Sequence, residues 1–308
     1  MQLSVVIPVY NEKENIYRLH KRITDVLSSI EDEYEILFVD DGSNDGTVVQ
    51  LEQLCRKNDE VRAIYFTRNY GQTSALAAGI QHASGEFIAT LDGDLQNDPE
   101  DILPMLQVLK EQNLDIVSGW RKDRKDKFLR SALSRAANQI LSSITGLALH
   151  DYGCSMKLYR VATLKNISLY GEMHRFLPIY AHLKGATVGE YVVHHHPREF
   201  GDSKYGFQRI LRVLVDIFLF YFLFHSKRPL PVFANFFYIW EVLAILFFFS
   251  YFLFASPLCL FASSVSFSAG FVFLLAGLIL ELIIRTHYLS QHEAQYTIKK
   301  TTNLPEQK

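Results

Sequence analysis

Hydrophobic positions in the first 120 residues fall into short runs separated by longer stretches of helical character. Leu3–Val9, Glu35–Val39, Val61–Phe66, Phe87–Leu91 and Asp115–Ser118 are apolar enough for buried strands. Between them, Asn15–Ile30, Asn44–Lys57, Gly71–His82 and Pro99–Gln112 suit helices. The alternation predicts an α/β fold: an open, mostly parallel sheet with helices on both faces. A further helix is expected over Leu129–Ile144 and a further strand over Thr187–Val193. The pattern changes at Gly206. Phe207–Phe224 carries Arg209, Arg212 and Asp216 at helical spacing among apolar residues, which predicts an amphipathic helix lying at an interface. Phe233–Ala255 and Val265–Ile284 each reach the length of roughly 20 apolar residues that spans a bilayer. The expected organisation is a globular domain over 1–205, an interfacial region over 206–229, two transmembrane helices over 230–286 and a C-terminal tail over 287–308.

Ligands of open parallel sheets gather beyond the carboxyl ends of the strands, near the switch in strand order. Three polar stretches fall at such ends: Pro8-Val9-Tyr10-Asn11-Glu12, Asp40-Asp41-Gly42-Ser43 and Asp92-Gly93-Asp94. Asp92 and Asp94, one residue apart after a buried strand, can share a hard divalent cation, and Gln96 adds a carbonyl oxygen. Asp98 is placed to cap a helix beginning at Pro99. Turn chemistry accounts for Gly42, Ser43 and Asp45. It does not account for two adjacent carboxylates, and Asp40 is read as a hydrogen-bond acceptor for a base.

Arg68 either steers a phosphate or pairs with a carboxylate. In the charge-dense stretch 119–127, Arg121 and Arg124 are candidates for diphosphate contact. Asp151 is a carboxylate that no helix pattern requires. His194, His195 and His196 are consecutive, so on a strand their side chains alternate between faces, which argues against one shared ion. Arg198 is the better functional candidate there, and Lys204 within Gly201–Gly206 belongs to a basic lid or acceptor clamp. Neither a Gly-x-Gly-x-x-Gly after the first strand nor a Gly-Lys-Ser/Thr loop is present, which excludes dinucleotide oxidoreductases and P-loop enzymes.

A net charge of -2 supplies no broad basic surface and argues against nucleic acid as a partner. Cys55, Cys154 and Cys259 show no ligand or disulfide spacing, as expected in a reducing compartment. The N-terminus opens directly into a strand pattern, without the basic and cleavage regions of a signal peptide. Lys227, Arg228, Arg285, Lys299 and Lys300 flank the outer ends of the two spans, while the turn at Ser256-Pro257 has no Lys or Arg. By the positive-inside rule, the globular domain and the C-terminus face the cytoplasm of a multi-pass plasma-membrane protein. Glu241 and Glu281 lie within the spans and are expected to face protein or a polar groove rather than lipid. The charged membrane-proximal segments are compatible with a homo-oligomer.

Taken together, Val6-Ile7-Pro8-Val9-Tyr10-Asn11-Glu12, Val39-Asp40-Asp41-Gly42-Ser43, Arg68-Asn69-Tyr70-Gly71, Leu91–Pro99, Asp151-Tyr152-Gly153-Cys154, and Arg198 with Gly201-Asp202-Ser203-Lys204-Tyr205 form an ordered set. The chain resembles the GT-A fold, family 2 polyprenyl-phosphate glycosyltransferases related to dolichol-phosphate mannose synthase and bactoprenol glucosyltransferases. Gly277, Leu280-Glu281 and Arg285 resemble the end of that family's last span.

The resemblance implies inverting transfer of one sugar from a nucleotide-sugar donor to polyprenyl (undecaprenyl) phosphate, with Mg2+ or Mn2+, for cell-envelope glycosylation. It implies that Pro8, Tyr10, Glu12 and Asp40 hold the nucleoside and that Asp92, Asp94 and Gln96 bind metal and diphosphate. Arg121, Arg198 and Lys204 would contact phosphates, and Asp151 would sit near the acceptor. Likeness to bacterial members favours a UDP-linked donor. Lys157 stands where relatives often carry Arg, and Glu241 departs from the familiar pattern. The Gln-x-x-Arg-Trp motif of the processive branch is absent. Two alternatives remain open at this point: another lipid acceptor such as diacylglycerol, which would make Asp151 a base, and a non-catalytic nucleotide-sugar-binding scaffold in the membrane.

Overall fold

The computed structural model describes residues 2–30, 33–122, 141–143, 145–164, 173–197, 230–289 and 296–304. Arg124, Arg198, Lys204, the amphipathic stretch 207–224 and most of the helix expected over 129–144 lie outside the described residues.

The strands are β1 (Leu3–Val9), β2 (Tyr34–Asp40), β3 (Val61–Phe66), β4 (Phe87–Thr90), β5 (Ile116–Trp120), β6 (Lys157–Arg160), β7 (Val188–Val192) and β8 (Ile298–Thr302). They form one sheet in the order β7-β5-β6-β4-β1-β2-β3-β8. The β4-β1-β2-β3 centre is parallel, whereas β6 pairs antiparallel with both β4 and β5, and β8 pairs antiparallel with β3. The helices of this unit are α1 (Ile16–Leu27), α2 (Thr47–Lys57), α3 (Gln72–His82), α4 (Ile102–Glu111), α5 (Val161–Leu164) and α6 (Leu177–Leu183).

The central strands are apolar on both faces because helices cover both. Val5 and Ile7 of β1 pack into a core with Leu19 and Ile23 of α1 and Met105 of α4. Val6, between them, packs into a second core with Ala75 and Ala78 of α3 and Leu177 of α6. Strand order reverses between β1 and β4, so the crevice lies beyond their carboxyl ends.

Boundaries move for local reasons. The second helix begins at Thr47 rather than Asn44 because Gly46 is left-handed (φ 101) and Asp45 Oδ1 accepts the Thr47 amide at 3.0 Å. At Pro99–Asp101 the chain forms a single 3-10 turn before α4, and Asp98 caps it by accepting the Glu100 amide at 3.1 Å. β6 was not anticipated, being four residues with a Lys and an Arg at its ends. Nor was β8: Ile-Lys-Lys-Thr-Thr reads as tail, yet lysines are common on strands that close a sheet edge.

A buried carboxylate ties the amino ends of the strands together. Glu35, fully buried, accepts from Ser4 Oγ at 2.5 Å and from the Ser84 amide at 2.6 Å, and pairs with Arg62. Glu35→Ala leaves Arg62 without its charge partner and is expected to cost about 3 kcal/mol. Denaturant unfolding of the detergent-solubilised protein checks this.

The second unit, within 210–293, contains α7 (Leu230–Phe254) and α8 (Pro257–Leu289). Their apolar windows have mean hydropathies of 2.0 and 2.1 and are only 6% and 17% buried, unlike core helices of a soluble domain. These helices are the two membrane spans. Small residues let them approach closely. A Cβ on Gly277 would lie 2.5 Å from Phe233 Cβ, and one on Gly270 would lie 2.8 Å from Glu241 Oε1. Ser263 Oγ donates to the Ala244 carbonyl at 2.8 Å. Glu241 therefore faces α8, and Glu281 is 8% exposed. Because β8 follows α8 in the chain yet joins the sheet, the segments flanking the hairpin lie on one side of the membrane. The Lys and Arg distribution makes that side the cytoplasm.

Candidate active site

The crevice is built from strand ends stitched to one another by short polar side chains. Beyond β1, Asn11 adopts a left-handed backbone (φ 55), a conformation that asparagine tolerates. Its amide donates to Ser43 Oγ at 2.8 Å, and its Oδ1 accepts the Asn44 amide at 2.9 Å. The Glu12 amide donates to Thr47 Oγ1 at 3.0 Å, while Glu12 Oε2 accepts from Asn15 Nδ2 at 2.6 Å. The β1 and β2 ends, with Pro8, Tyr10 and Glu12, are thereby one rigid wall.

Asp40 and Asp41 are both buried and have different surroundings. Asp41 accepts the Tyr70 amide at 2.6 Å and the Gly71 amide at 2.9 Å, one on each oxygen. Asp40 Oδ2 accepts the Ser43 amide at 3.2 Å, but Oδ1 is buried without a hydrogen-bond partner among the described residues. Burial pushes both carboxyls above their ordinary value; the amides of Ser43 and Gly42 oppose this for Asp40, as those of Tyr70 and Gly71 do for Asp41. Gly42 (φ 74) is obligatory here, because a Cβ would meet the Arg68 carbonyl carbon at 2.4 Å. The loop 67–71 thus rests directly on this turn. Arg68 is exposed, with its guanidinium 4.5 Å from the Tyr70 ring centre.

Beyond β4, Asp92 Oδ1 accepts from Gln72 Nε2 at 2.7 Å, and Asn97 Oδ1 accepts both the Asp92 amide at 3.2 Å and Ser155 Oγ at 2.9 Å. Gly93 sits against Val9 and Glu12: a Cβ there would be 2.9 Å from Val9 Cγ1 and 3.6 Å from Glu12 Cγ. Leu95 has a positive φ of 63 while its side chain is 3% exposed in the core. That backbone conformation is costly for a bulky residue and is held by the core packing of its own side chain. The turn it makes lets Asp94 Oδ1 accept the Gln96 amide at 3.2 Å.

No group of three or more His, Cys, Asp or Glu side chains suited to a metal occurs among the described residues. Asp92, Asp94 and Gln96 offer carboxylate and amide oxygens of the kind that could hold Mg2+ or Mn2+, with substrate phosphates and water completing the oxygen shell.

The opposite wall comes from β5, β7 and the 150–157 segment. Arg121 forms a fork with Asp151, Nε to Oδ2 at 2.6 Å and Nη2 to Oδ1 at 3.0 Å. Burial alone would lower the Arg121 pKa; the Asp151 fork outweighs it and holds the guanidinium above its ordinary range. Glu190 of β7 sets Asp151 in place, accepting the His150 amide at 2.7 Å and the Asp151 amide at 3.3 Å. His150 stacks on Trp120 with ring centres 4.0 Å apart. Lys157 is buried, donates to the Cys154 carbonyl, and is pushed down by burial against the opposing fields of Cys154, Asp151 and Asp92. Cys154 and Asp92 add smaller raising fields at Arg121.

The histidine run does not converge on one point. His194 Nδ1 pairs with Asp101 at 2.9 Å, and His196 Nε2 pairs with Asp98 at 2.6 Å. Arg22 reaches the other oxygen of Asp98 at 3.1 Å. Asn97 and His195 form a bridge, and Gln96 Nε2 donates to the His196 carbonyl at 3.4 Å, so 194–196 lie alongside the Asp94–Asp98 loop. Gln72, Glu190, Leu95 and the Trp120–His150 pair were not anticipated. Each acts through a contact distant in sequence, and neither periodicity nor motif spacing reports those.

Comparison with known proteins agrees with this geometry. The model for Glycosyl transferase family 2 matches residues 4–168. A dodecaprenyl-phosphate galacturonate synthase of Rhizobium johnstonii is 44% identical over 234 residues, 74% of this chain and 69% of the relative. A mannosyltransferase from Pyrobaculum calidifontis, solved with GDP-Man and Mn2+, is similar with a TM-score of 0.53 at 18% identity, over 94% of this chain and 84% of that one. Glucosyl-3-phosphoglycerate synthase from Mycobacterium tuberculosis, solved with UDP, gives 0.55 at 15% identity, over 72% and 79%. At such identities the two structures attest the fold alone.

The two adjacent aspartates should separate in stability measurements. Asp41→Asn turns one acceptor oxygen into a donor facing an amide and is expected to cost about 1–3 kcal/mol. Asp40→Asn keeps an acceptor for Ser43. It also removes a carboxylate whose raised pKa opposes folding as pH rises through that value. It should leave the ligand-free protein at least as stable as the parent at pH 7. Thermal unfolding of both variants without ligand decides between these outcomes.

Proposed function

This chain belongs to glycosyl transferase family 2, and from that premise we propose that it transfers a single sugar, with inversion, from a UDP-linked donor to the phosphate of a polyprenyl phosphate. The coarser statement, sugar transfer from a nucleotide-sugar donor to a lipid acceptor by a membrane-embedded enzyme, rests on family membership and the related synthase. The finer reading is supported by one observation: at the end of β2, Asp40 keeps a buried carboxylate oxygen without a hydrogen-bond partner among the described residues. The acceptor class is supported by the name of the relative, which carries dodecaprenyl phosphate, and by the two spans.

In this reading Asp40 Oδ1 accepts an N–H of the base, and Pro8, Tyr10 and Glu12 line the nucleoside. Asp92, Asp94 and Gln96 hold the divalent ion. When bound, that ion neutralises charge on the departing diphosphate. Arg121, with Arg124, adds cationic contacts to the same phosphates, and Arg198 and Lys204 attract the acceptor phosphate.

A phosphate monoester has its second pKa at about 6 and is mostly dianionic at neutral pH. The nucleophile therefore needs no strong base. Asp151 is occupied by the Arg121 fork. Its proposed role is to aim that guanidinium, not to remove a proton.

The deciding assay presents labelled UDP- and GDP-sugars, UDP-galacturonate and UDP-glucose among them, to membranes containing the protein and undecaprenyl phosphate, with Mg2+, Mn2+ or EDTA. One UDP-sugar should enter an organic-extractable, mild-acid-labile lipid, and the product should vanish in EDTA and in Asp94→Ala. Metal-dependent UDP release with no lipid product from any donor would overturn the acceptor assignment.

Asp151→Asn should lower kcat about 100-fold through misaimed Arg121 while leaving the shape of the pH–rate profile unchanged. A lost basic limb would instead make Asp151 a base.

UDP affinity should fall as pH is lowered, because protonation removes the acceptor on Asp40. Since burial raises that carboxyl, the fall should begin above the range set by its ordinary value of 3.8. Calorimetric titration with UDP between pH 7 and 5 measures it.

A further inference from the structure

The most unexpected element, β8, begins beside the carboxyl end of β3 and the loop that follows it. Its pairing with β3 is regular from Ala63 to Tyr65, then shifts register between Tyr65 and Phe66, so that Phe66 faces Ile298. Such bulges bend a strand and re-aim the residues beyond them. Here the shift lets the Thr297 carbonyl accept the Thr67 amide at 3.1 Å, one residue past the end of β3. Tyr296 then stacks on Phe66 at 4.9 Å and donates its hydroxyl to Gln81 of α3 at 2.7 Å. Tyr70 meets Phe66 edge-on at 5.7 Å, and its hydroxyl lies 3.1 Å from Thr67 Oγ1. Thr297, together with Thr67 and Arg68, holds the phenol of the half-buried Tyr70 down at about 8.

The other side of the loop 67–72 touches the site twice. Tyr70 and Gly71 donate to Asp41, next to Asp40, and Gln72 donates to Asp92. We propose that β8 is a strap that fixes this loop for nucleotide-sugar binding, with Tyr296 and Thr297 as positioning residues. The inference rests on the proposed donor reading. It assigns a role in donor binding to a segment that comes after the second membrane span in the chain. Tyr296 acts through Phe66, and Thr297 through Thr67 and Tyr70.

The test uses the full chain in detergent and three variants. Tyr296→Ala should raise KM for the nucleotide sugar about tenfold with kcat within about threefold, the signature of lost donor positioning. Amide exchange at Thr67, Tyr70 and Gly71 should accelerate in the same variant. Tyr296→Phe keeps the ring stack on Phe66 and should restore KM to within about twofold. Asn303→Ala, which removes the caps on the Cys55 and Val61 carbonyls at the far end of β3, should lower stability without moving KM. Should Tyr296→Ala not accumulate, Tyr296→Leu carries the same two readouts.

An unchanged KM in the Tyr296 variant overturns the proposal, whether or not exchange accelerates. So does an equal KM rise in Asn303→Ala, which would mark a general loss of stability. A parent protein that transfers no sugar sinks the donor reading instead. In that case exchange at the three amides still decides the strap, and unchanged protection overturns it.

Discussion

Carboxylates crowd the carboxyl edge of this sheet, and their mutual repulsion is the constraint that the surrounding structure answers. Asp40, Asp41, Asp92 and Asp94 stand at or follow strand ends, Asp98 caps the turn at Pro99, Asp101 stands at the start of α4, and Asp151 lies in the segment before β6. Each neighbour absorbs a share of the charge in a different way. Asp41 is held by two loop amides, Asp92 by the Gln72 amide, Asp98 by Arg22 and His196, Asp101 by His194, and Asp151 by Arg121. Hydrogen bonds and ion pairs of this kind are stronger in a half-buried crevice than in water, and leaving one unmade costs correspondingly more.

That constraint separates scaffold from chemistry. Carboxylates with complete partners shape loops: Asp41 fixes 67–71, and Asp98 and Asp101 anchor the chain at 194–196 alongside the Asp94–Asp98 loop. Asp40 differs from these in keeping one buried oxygen without a partner among the described residues, which supports its proposed role as an acceptor for the base. Glu190 and the Trp120–His150 stack play the same supporting part for Asp151 and, through it, for Arg121. Positioning groups of this type hold a site within the fraction of an ångström that transfer chemistry demands.

In the membrane unit the answer to a buried charge is different. Glu241 Oε1 is buried against α8 without a hydrogen-bond partner among the described residues. Gly270 leaves room for its carboxylate, and Gly277 does the same for Phe233 one stretch further along. Small residues on one helix matched to large ones on the other make the hairpin a fitted pair.

Hydrophobic periodicity alone determined the parallel β1–β4 centre, the helices that cover it, the two spans, and the strand ends at which Asp40, Asp92 and Asp94 would meet. Those features follow from local pattern, since a buried strand or a membrane span must be apolar along its own length. Only the tertiary structure decided the rest. β6 and β8 are short, polar-ended strands whose pairing energy lies in partners at least 39 and over 230 residues away in sequence. The different surroundings of Asp40 and Asp41, the Arg121–Asp151 fork and the Glu190 clamp join residues from different strands, so no local pattern carries them. Sequence determined which residue types stand at the sheet's edge; folding decided which of them neutralise one another, because those partners come from strands and loops far apart in the chain.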